Sequence, residues 1–134
     1  MNLQLLRAYI AYCRKAKHRK GHGVHSPFMY ELVRSVFFAK KERSEPENRC
    51  ERIRTRLNVF CEKKSLQLVQ VKEKNDLIFY TENCIALLAQ PHENAELWEF
   101  LQENKGTKVT ADCWKFGLAI SATHLQKQAY VVKL

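Results

Sequence analysis

The sequence predicts a single α+β domain, in which N-terminal helices precede a mainly antiparallel sheet of about five strands with one inserted helix. Three observations lead to this class. A chain of 134 residues has the usual size of one domain with one core. Its 46% hydrophobic and 28% charged residues are typical of a folded protein. The apolar spacing also changes near residue 64, which divides the domain 1–134 into a basic helical part (1–64) and a strand-rich part (65–134).

Three amphipathic helices are predicted in the first part. The first covers residues 3–19, and one apolar stripe should pack on the core. That stripe consists of Leu3, Leu6, Ile10 and Cys13. The second helix begins after Ser26, a favourable N-cap, with Pro27 at the first position, where a missing N–H costs nothing. A third helix is expected from about 46 to 63.

Short apolar runs predict the strands of the second part. The runs "LQLVQV" (66–71) and "DLIFYTE" (76–82) are separated by four residues, which predicts an antiparallel hairpin. The uniformly apolar "CIALLA" (84–89) predicts a central strand covered on both faces. A helix opening at Pro91 should follow. The closing strands are "TKVTADC" (107–113), "KFGLAIS" (115–121) and "QAYVVKL" (128–134).

Positive charge is concentrated in the first part of the chain. Residues 1–64 hold 16 Lys and Arg against 6 Asp and Glu, whereas residues 65–134 hold 7 against 8. Such a distribution fits a surface for phosphate groups. The candidate nucleic-acid contacts are Arg14, Lys15, Lys17, Arg19 and Lys20. Arginine on an amphipathic helix is more often a solvated face, and no recognition-helix, RRM or KH pattern accompanies these residues.

The cysteines and the hydropathy predict a location in the cytoplasm. Five cysteines without a C-x-x-C pair are expected to be reduced core residues. No apolar run has the length of a membrane span, and the first helix, interrupted by Arg7, is not typical of a secretory signal. A basic amphipathic N-terminus could instead lie on an anionic membrane surface.

Three histidines lie in the connector between the first two helices. His18, His22 and His25 could ligate zinc, but a fourth ligand is not evident, so no metal is predicted. The simpler interpretation is that two glycines permit a tight turn there and that His22 and His25 hydrogen-bond to its backbone. Aromatic residues at helical or strand spacing could line a pocket but are more often core. They are Tyr9, Tyr12, Trp98 and Trp114.

Two segments resemble a known family. The segment "GHGVHSPFMYELV" (21–33) resembles the H-G-x-H-S-P-F signature of a bacterial subgroup of class I S-adenosylmethionine-dependent methyltransferases. The matching residues are His22, Gly23, His25, Ser26, Pro27 and Phe28. The tail from Glu93 resembles the end of the same fold, with a last helix, a "VT-x-x-D" strand ending at Asp112, a Gly-Leu strand at Gly117 and an edge strand. Together the two segments cover 55 of the 134 residues.

The resemblance implies a methyl donor held against a glycine-rich turn between a strand and a helix. None of the four glycines of this chain, Gly21, Gly23, Gly106 and Gly117, follows a strand into a helix. Relatives often carry an Asp pair after the strand that corresponds to "CIALLAQ", and this chain has none. We therefore expect a shortened relative that lacks the cofactor-binding centre. No cofactor, catalytic residue or cofactor-binding residue is predicted.

The leading hypothesis is a methyltransferase-like protein that acts as an interaction or structural module. The sequence favours the absence of enzyme activity over its presence. A homo-oligomer or a protein partner is expected, since the edge strand "YVVKL" invites pairing. The first alternative is a basic nucleic-acid-binding module. The second is an active methyltransferase that assembles its cofactor site between subunits.

Overall fold

The computed structural model describes residues 2–16 and 26–132 and contains helices on both faces of one sheet. The helical segments are α1 (Leu3–Lys15), α2 (Pro27–Leu32) with its π-helical continuation (Val33–Phe37), α3 (Arg49–Lys63), a 3-10 helix (Lys74–Phe79) and α4 (Ala95–Glu103). The strands are β1 (Gln67–Val71), β2 (Cys84–Ala89), β3 (Val109–Asp112), β4 (Phe116–Ser121) and β5 (Gln128–Val131). The predicted N-cap of α2 is confirmed, because the Ser26 hydroxyl accepts from the N–H of Met29.

The five strands form one sheet in the order β1-β2-β4-β3-β5. The α+β class, the number of strands and the helix inserted before the last strands are therefore confirmed. The sheet is mixed: β4 runs antiparallel to its neighbours β2 and β3, while β1 with β2 and β3 with β5 are parallel pairs. Consequently β1, β2, β3 and β5 all end at the same edge of the sheet, where β4 begins.

The predicted hairpin of residues 66–71 and 76–82 is wrong. β1 pairs in parallel with β2, and the segment between them forms the 3-10 helix. The local cause is a capping box, in which the Asp76 carboxylate accepts from the N–H groups of Lys72 and Glu73. The connection of about a dozen residues is long enough for the crossover that a parallel pair requires.

The central strand β2 is covered on both faces, as its apolar run predicts. Ile85 and Leu87 lie in one hydrophobic cluster with residues of α2 and α3. Cys84, Ala86 and Leu88 lie in a second cluster, with residues of α4. Alternate residues of a strand point to opposite faces of the sheet, so a uniformly apolar strand can serve two layers at once.

Helix α4 begins at Ala95, four residues later than the prediction from Pro91. Residues 91–94 form a turn instead, since the side-chain amide of Asn94 donates to the carbonyl groups of Ala89 and Gln90. The hydrogen bonds of this side chain connect the start of α4 with the end of β2 at the edge of the sheet.

The apolar stripe predicted to bury α1 is largely exposed. Leu3 is 63% exposed, and Leu6 and Ile10 are each 44% exposed. The buried residue of α1 is Tyr12, whose hydroxyl donates to the carbonyl oxygen of Val132 and thereby anchors the helix to the end of β5. An amphipathic pattern predicts that a helix forms, but it does not determine which side of the helix packs on the core. In α1 the contact is made by Tyr12 and not by the apolar stripe.

The prediction that every cysteine lies in the core is wrong for two of them. Cys61, Cys84 and Cys113 are buried, whereas Cys13 and Cys50 are exposed. Cys50 lies in the first turn of α3, beyond the sheet edge, and Cys13 lies in the last turn of α1. Both helices place these thiols outside the two packed layers.

One ion pair fastens the connection between α2 and α3. The Arg56 guanidinium contacts both carboxylate oxygens of Glu45, at 2.6 and 2.8 Å. It also donates to the carbonyl groups of Val36, Ala39 and Lys40 at 3.0–3.2 Å. Chiefly because of Arg56, the pKa of Glu45 is lowered from 4.5 to about 2. The pair therefore fixes how the chain enters α3.

Candidate anion-binding groove

A groove runs along the edge of the sheet at which β1 and β2 end. It consists of two adjoining cavities of about 210 and 160 Å³, which share Cys50, Ile53, Lys115 and Phe116. Ile53 and Phe116 are buried and form its apolar floor. In open α/β sheets, ligands bind in the crevice outside the carboxyl ends of the strands. We call this feature the edge groove.

The edge groove is lined by cations from several parts of the chain. They are Arg49 and Arg54 of α3, Lys72 after β1 and Lys115 before β4. All four are exposed. Among the described residues that line the groove, none is an aspartate or a glutamate. The edge groove is therefore positively charged along its length.

Most of these cations have no acidic partner. Within residues 2–16 and 26–132, no carboxylate lies within ion-pair distance of Arg49, Arg54 or Lys115. Lys72 lies close enough to Asp76 to help lower the pKa of that carboxyl, after the larger effect of two backbone N–H groups. Unpaired cations around a concave surface attract anions.

One end of the edge groove is aromatic. Trp114 lies in the turn between β3 and β4, and its ring centroid is 4.8 Å from that of Tyr9 and 5.5 Å from that of Tyr12. Tyr12 is buried, which raises the pKa of its phenol, whereas Tyr9 is 41% exposed. Of the four aromatics singled out in the sequence, Trp98 and Tyr12 are core, and Tyr9 presents a ring to the solvent.

Trp114 is held in an unusual backbone conformation. Its φ is 66°, a left-handed value that costs a non-glycine residue about 1 kcal/mol or more. The Asp112 carboxylate accepts from the N–H of Trp114 at 3.0 Å and contacts Nε2 of His92 at 2.7 Å. The His92 ring stacks on the indole with centroids 4.5 Å apart. Asp112 and His92 thus position the indole at the end of the groove.

The cysteines next to the aromatic end differ in chemistry. Cys113 is fully buried, and burial raises the pKa of its thiol well above the usual value, so it is a poor nucleophile at neutral pH. Cys13 and Cys50 line the groove and are exposed. The arrangement can bind anions, but it contains no activated thiol at Cys113.

Some of the motif residues that carry the family resemblance lie within the part of the chain that the structure describes, and these lie away from the edge groove. Ser26, Pro27 and Phe28 open α2 and line a separate cavity near the turn between β4 and β5, at the opposite edge of the sheet. The Phe28 ring packs edge-on against Phe60 at 5.4 Å. His22, Gly23 and His25 lie outside the described residues, as does His18.

The predicted nucleic-acid contacts are only partly placed. Arg14 and Lys15 are exposed in the last turn of α1, directly after the groove residue Cys13. Lys17, Arg19 and Lys20 lie outside the part of the chain that the structure describes. In that part, no three His, Cys, Asp or Glu side chains could hold a metal ion together, and no helix combines the length and hydropathy of a membrane span.

Sequence reasoning missed the cations of the edge groove as a group. Arg49 and Arg54 lie within the predicted third helix, and Lys72 lies between the two runs that were predicted to form a hairpin, so neither pattern marked them as candidate site residues. The available signal was position, because a lysine directly after a buried strand lies at the edge of the sheet. Comparisons of the chain with models of protein families, with curated proteins and with solved structures found no match.

Proposed function

We propose that this chain is a methyltransferase-like protein that has no methyl-transfer activity and acts by binding a partner. The order of the strands supports the relationship. The reversed strand β4 lies between β2 and β3, and α4 precedes this group. The tail has the elements that the resemblance to the methyltransferase fold implies, a last helix, a strand ending at Asp112, a strand with Gly117 and an edge strand. The protein would then keep the end of that fold and use its sheet edge for another ligand.

The observation that carries this proposal is the composition of the turns after β1 and β2. β1 is followed by Lys72 and β2 by Gln90. Gln90 has a φ of 50°, a conformation that glycine adopts freely, yet a side chain is present there. A methyl donor seated against the backbone needs a turn without side chains, so these turns argue against such a cradle.

Calorimetric titration with S-adenosylmethionine tests the loss of methyl-donor binding. We expect no heat beyond dilution at donor concentrations up to about 1 mM, since the turns after β1 and β2 carry side chains where a donor would need close approach to the backbone. S-adenosylhomocysteine, titrated in the same way, controls for the charge of the sulfonium. A dissociation constant in the micromolar range for either compound would contradict the proposal and favour the alternative of an active enzyme with a site between subunits.

Exposed apolar side chains support an interaction role. Leu3, Leu6 and Ile10 form an exposed face on α1, and contiguous apolar patches often mark interaction sites. β5 is the last strand of the sheet and pairs with β3 on one side. Both features fit the hypothesis of a homo-oligomer or a protein partner.

A second candidate function, nucleic-acid binding, is favoured by the edge groove itself. Its cations come from α3 and from two turns of the sheet, and they line two adjoining cavities with aromatic rings at one end. The net charge of +9 adds a long-range attraction for nucleic acid. This function does not require methyl transfer and is compatible with the first proposal.

A further inference from the structure

We propose that the edge groove is a nucleotide site, which takes a nucleotide either free or as a unit of single-stranded nucleic acid. The inference rests on the second candidate function and deepens it by naming the site and the ligand chemistry. Proteins that bind single strands combine a positively charged groove for the backbone with aromatic side chains for the bases. The edge groove contains both parts, and they are contiguous.

The phosphate would lie between α3 and the ends of β1 and β2. Arg54 and Lys72 line this part of the groove together with Lys115, which is shared with the aromatic part. Arg54 and Lys115 have no carboxylate within ion-pair distance in the described parts of the chain. A phosphate here would gain charge-assisted hydrogen bonds without displacing an acidic side chain.

Arg49 gives independent support, because its position does not favour folding. It is the first residue of α3, where the positive end of the helix dipole disfavours a cation. Asn48 already caps this helix by accepting from the N–H of Glu51. Departures from local stability rules are expected at functional sites. We therefore interpret Arg49 as a ligand-facing cation of the cavity that contains the aromatic end.

The base would lie at the aromatic end. Tyr9 is 41% exposed and its ring packs against Trp114, which His92 and Asp112 hold in place. A flat ring placed against Tyr9 would gain stacking, which is worth about 1–3 kcal/mol per base in single-strand complexes. The apolar floor of Ile53 and Phe116 is common to both cavities, so it connects this end with the part of the groove where the phosphate would lie.

The size of the edge groove agrees with such a ligand. Each cavity alone is smaller than the roughly 300–1,000 Å³ typical of small-ligand sites, but together the two cavities reach that range. A bare inorganic anion would need only one of them and would leave the aromatic end unused. A nucleotide has an anionic part and a flat apolar part of the kind that the two ends could accommodate.

Fluorescence anisotropy with the full chain tests the site. The probes are a labelled single-stranded DNA of about eight nucleotides and, by competition, adenosine monophosphate. The groove variant Arg54→Ala with Lys115→Ala is compared with the control Arg34→Ala with Lys127→Ala, which removes the same charges from exposed residues outside the edge groove. We expect about tenfold weaker binding for the groove variant only, with the salt slope of log K reduced in magnitude by about 1.4, since two phosphate contacts are lost.

Each result of this experiment either supports the edge groove as the nucleotide site or contradicts it. If both double variants weaken binding equally, the protein binds nucleic acid through its net charge and the groove is not the site. If the wild-type chain binds neither probe, the groove assignment and the second candidate function both fail. If adenosine monophosphate competes at concentrations close to those of the oligonucleotide, the ligand is a free nucleotide; competition only at far higher concentrations identifies a strand.

Discussion

Replacing Arg56 by alanine should lower the free energy of unfolding by about 3 kcal/mol. The substitution leaves three carbonyl groups, those of Val36, Ala39 and Lys40, without their donor. A hydrogen bond from a charged group contributes about 1.5–3 kcal/mol net of its exchange with water, and the losses of neighbouring bonds are not additive. The side chain of Arg56 is only 10% exposed, so water replaces these bonds poorly. Chemical denaturation monitored by circular dichroism measures the change.

Arg54 provides the matched control for Arg56. It lies two residues earlier in α3, is exposed, and lines the edge groove. Arg54→Ala should change stability by no more than about 0.5 kcal/mol, while weakening nucleotide binding. A large loss of stability in Arg54→Ala, or none in Arg56→Ala, would contradict the division between a structural and a ligand-facing arginine.

Acid titration provides a further check on the Arg56 pair. The folded-state pKa of Glu45 lies below its ordinary value, near 2 instead of 4.5, so its ion pair stabilises the fold above about pH 4.5. This contribution is lost as the pH falls from 4.5 through 2, where the carboxylate becomes protonated in the folded state. The stability difference between the wild type and Arg56→Ala should therefore shrink over that interval.

Replacing Gly117 by alanine should destabilise the fold by about 1–3 kcal/mol through overpacking. A Cβ added at Gly117 would lie 2.7 Å from Cζ3 of Trp98 and 2.9 Å from its Cη2. The Trp98 side chain is buried between α4 and the sheet, so it cannot easily move aside. Thermal unfolding of the variant and the wild type gives the difference.

A double-mutant cycle separates this clash from a simple preference for glycine. In a Trp98→Leu background the added methyl group has space, so Gly117→Ala should cost less there than in the wild type. Gly106→Ala is the control, because its Cβ would meet only the side chains of Ser121 and Asn104, at 3.2 and 3.3 Å. Equal costs of Gly117→Ala in both backgrounds would show that contact with Trp98 is not the cause.

The strands and helices that the sequence predicted best are those with strong local signals. Ser26 and Pro27 define the start of α2, and the uniformly apolar run from Cys84 predicts β2 as a strand buried on both sides. These predictions depend on hydrogen bonds and periodicity within one segment. Local signals of this kind can be recognised in one sequence, without knowledge of contacts between distant segments.

The hairpin error arose where side-chain hydrogen bonds to the backbone overrode the apolar composition of a segment. The run "DLIFYTE" has an apolar composition that suits a strand, but Asp76 binds the backbone of the preceding residues and closes a 3-10 helix instead. With no strand in that segment, β1 pairs with β2 and runs parallel to it. Local composition does not reveal this choice of partner.

The edge groove was not predictable from spacing, because its residues are far apart in the chain. Tyr9, Arg54, Lys72 and Lys115 come from α1, α3 and two different turns. Only the sheet order, with four strand ends at one edge, brings them together. The concentration of positive charge in residues 1–64 indicated an anionic partner, but not the side of the molecule on which it would bind.

The most direct test of a groove that binds nucleotides and not a methyl donor is protection of Cys50 from alkylation. Cys50 lines both cavities and is exposed, while Cys61, Cys84 and Cys113 are buried and serve as internal controls. Mass spectrometry after brief exposure to N-ethylmaleimide gives the rate at each thiol. We predict several-fold slower alkylation of Cys50 with the single-stranded oligonucleotide and an unchanged rate with S-adenosylmethionine. Protection by S-adenosylmethionine, or none by the oligonucleotide, would contradict the account.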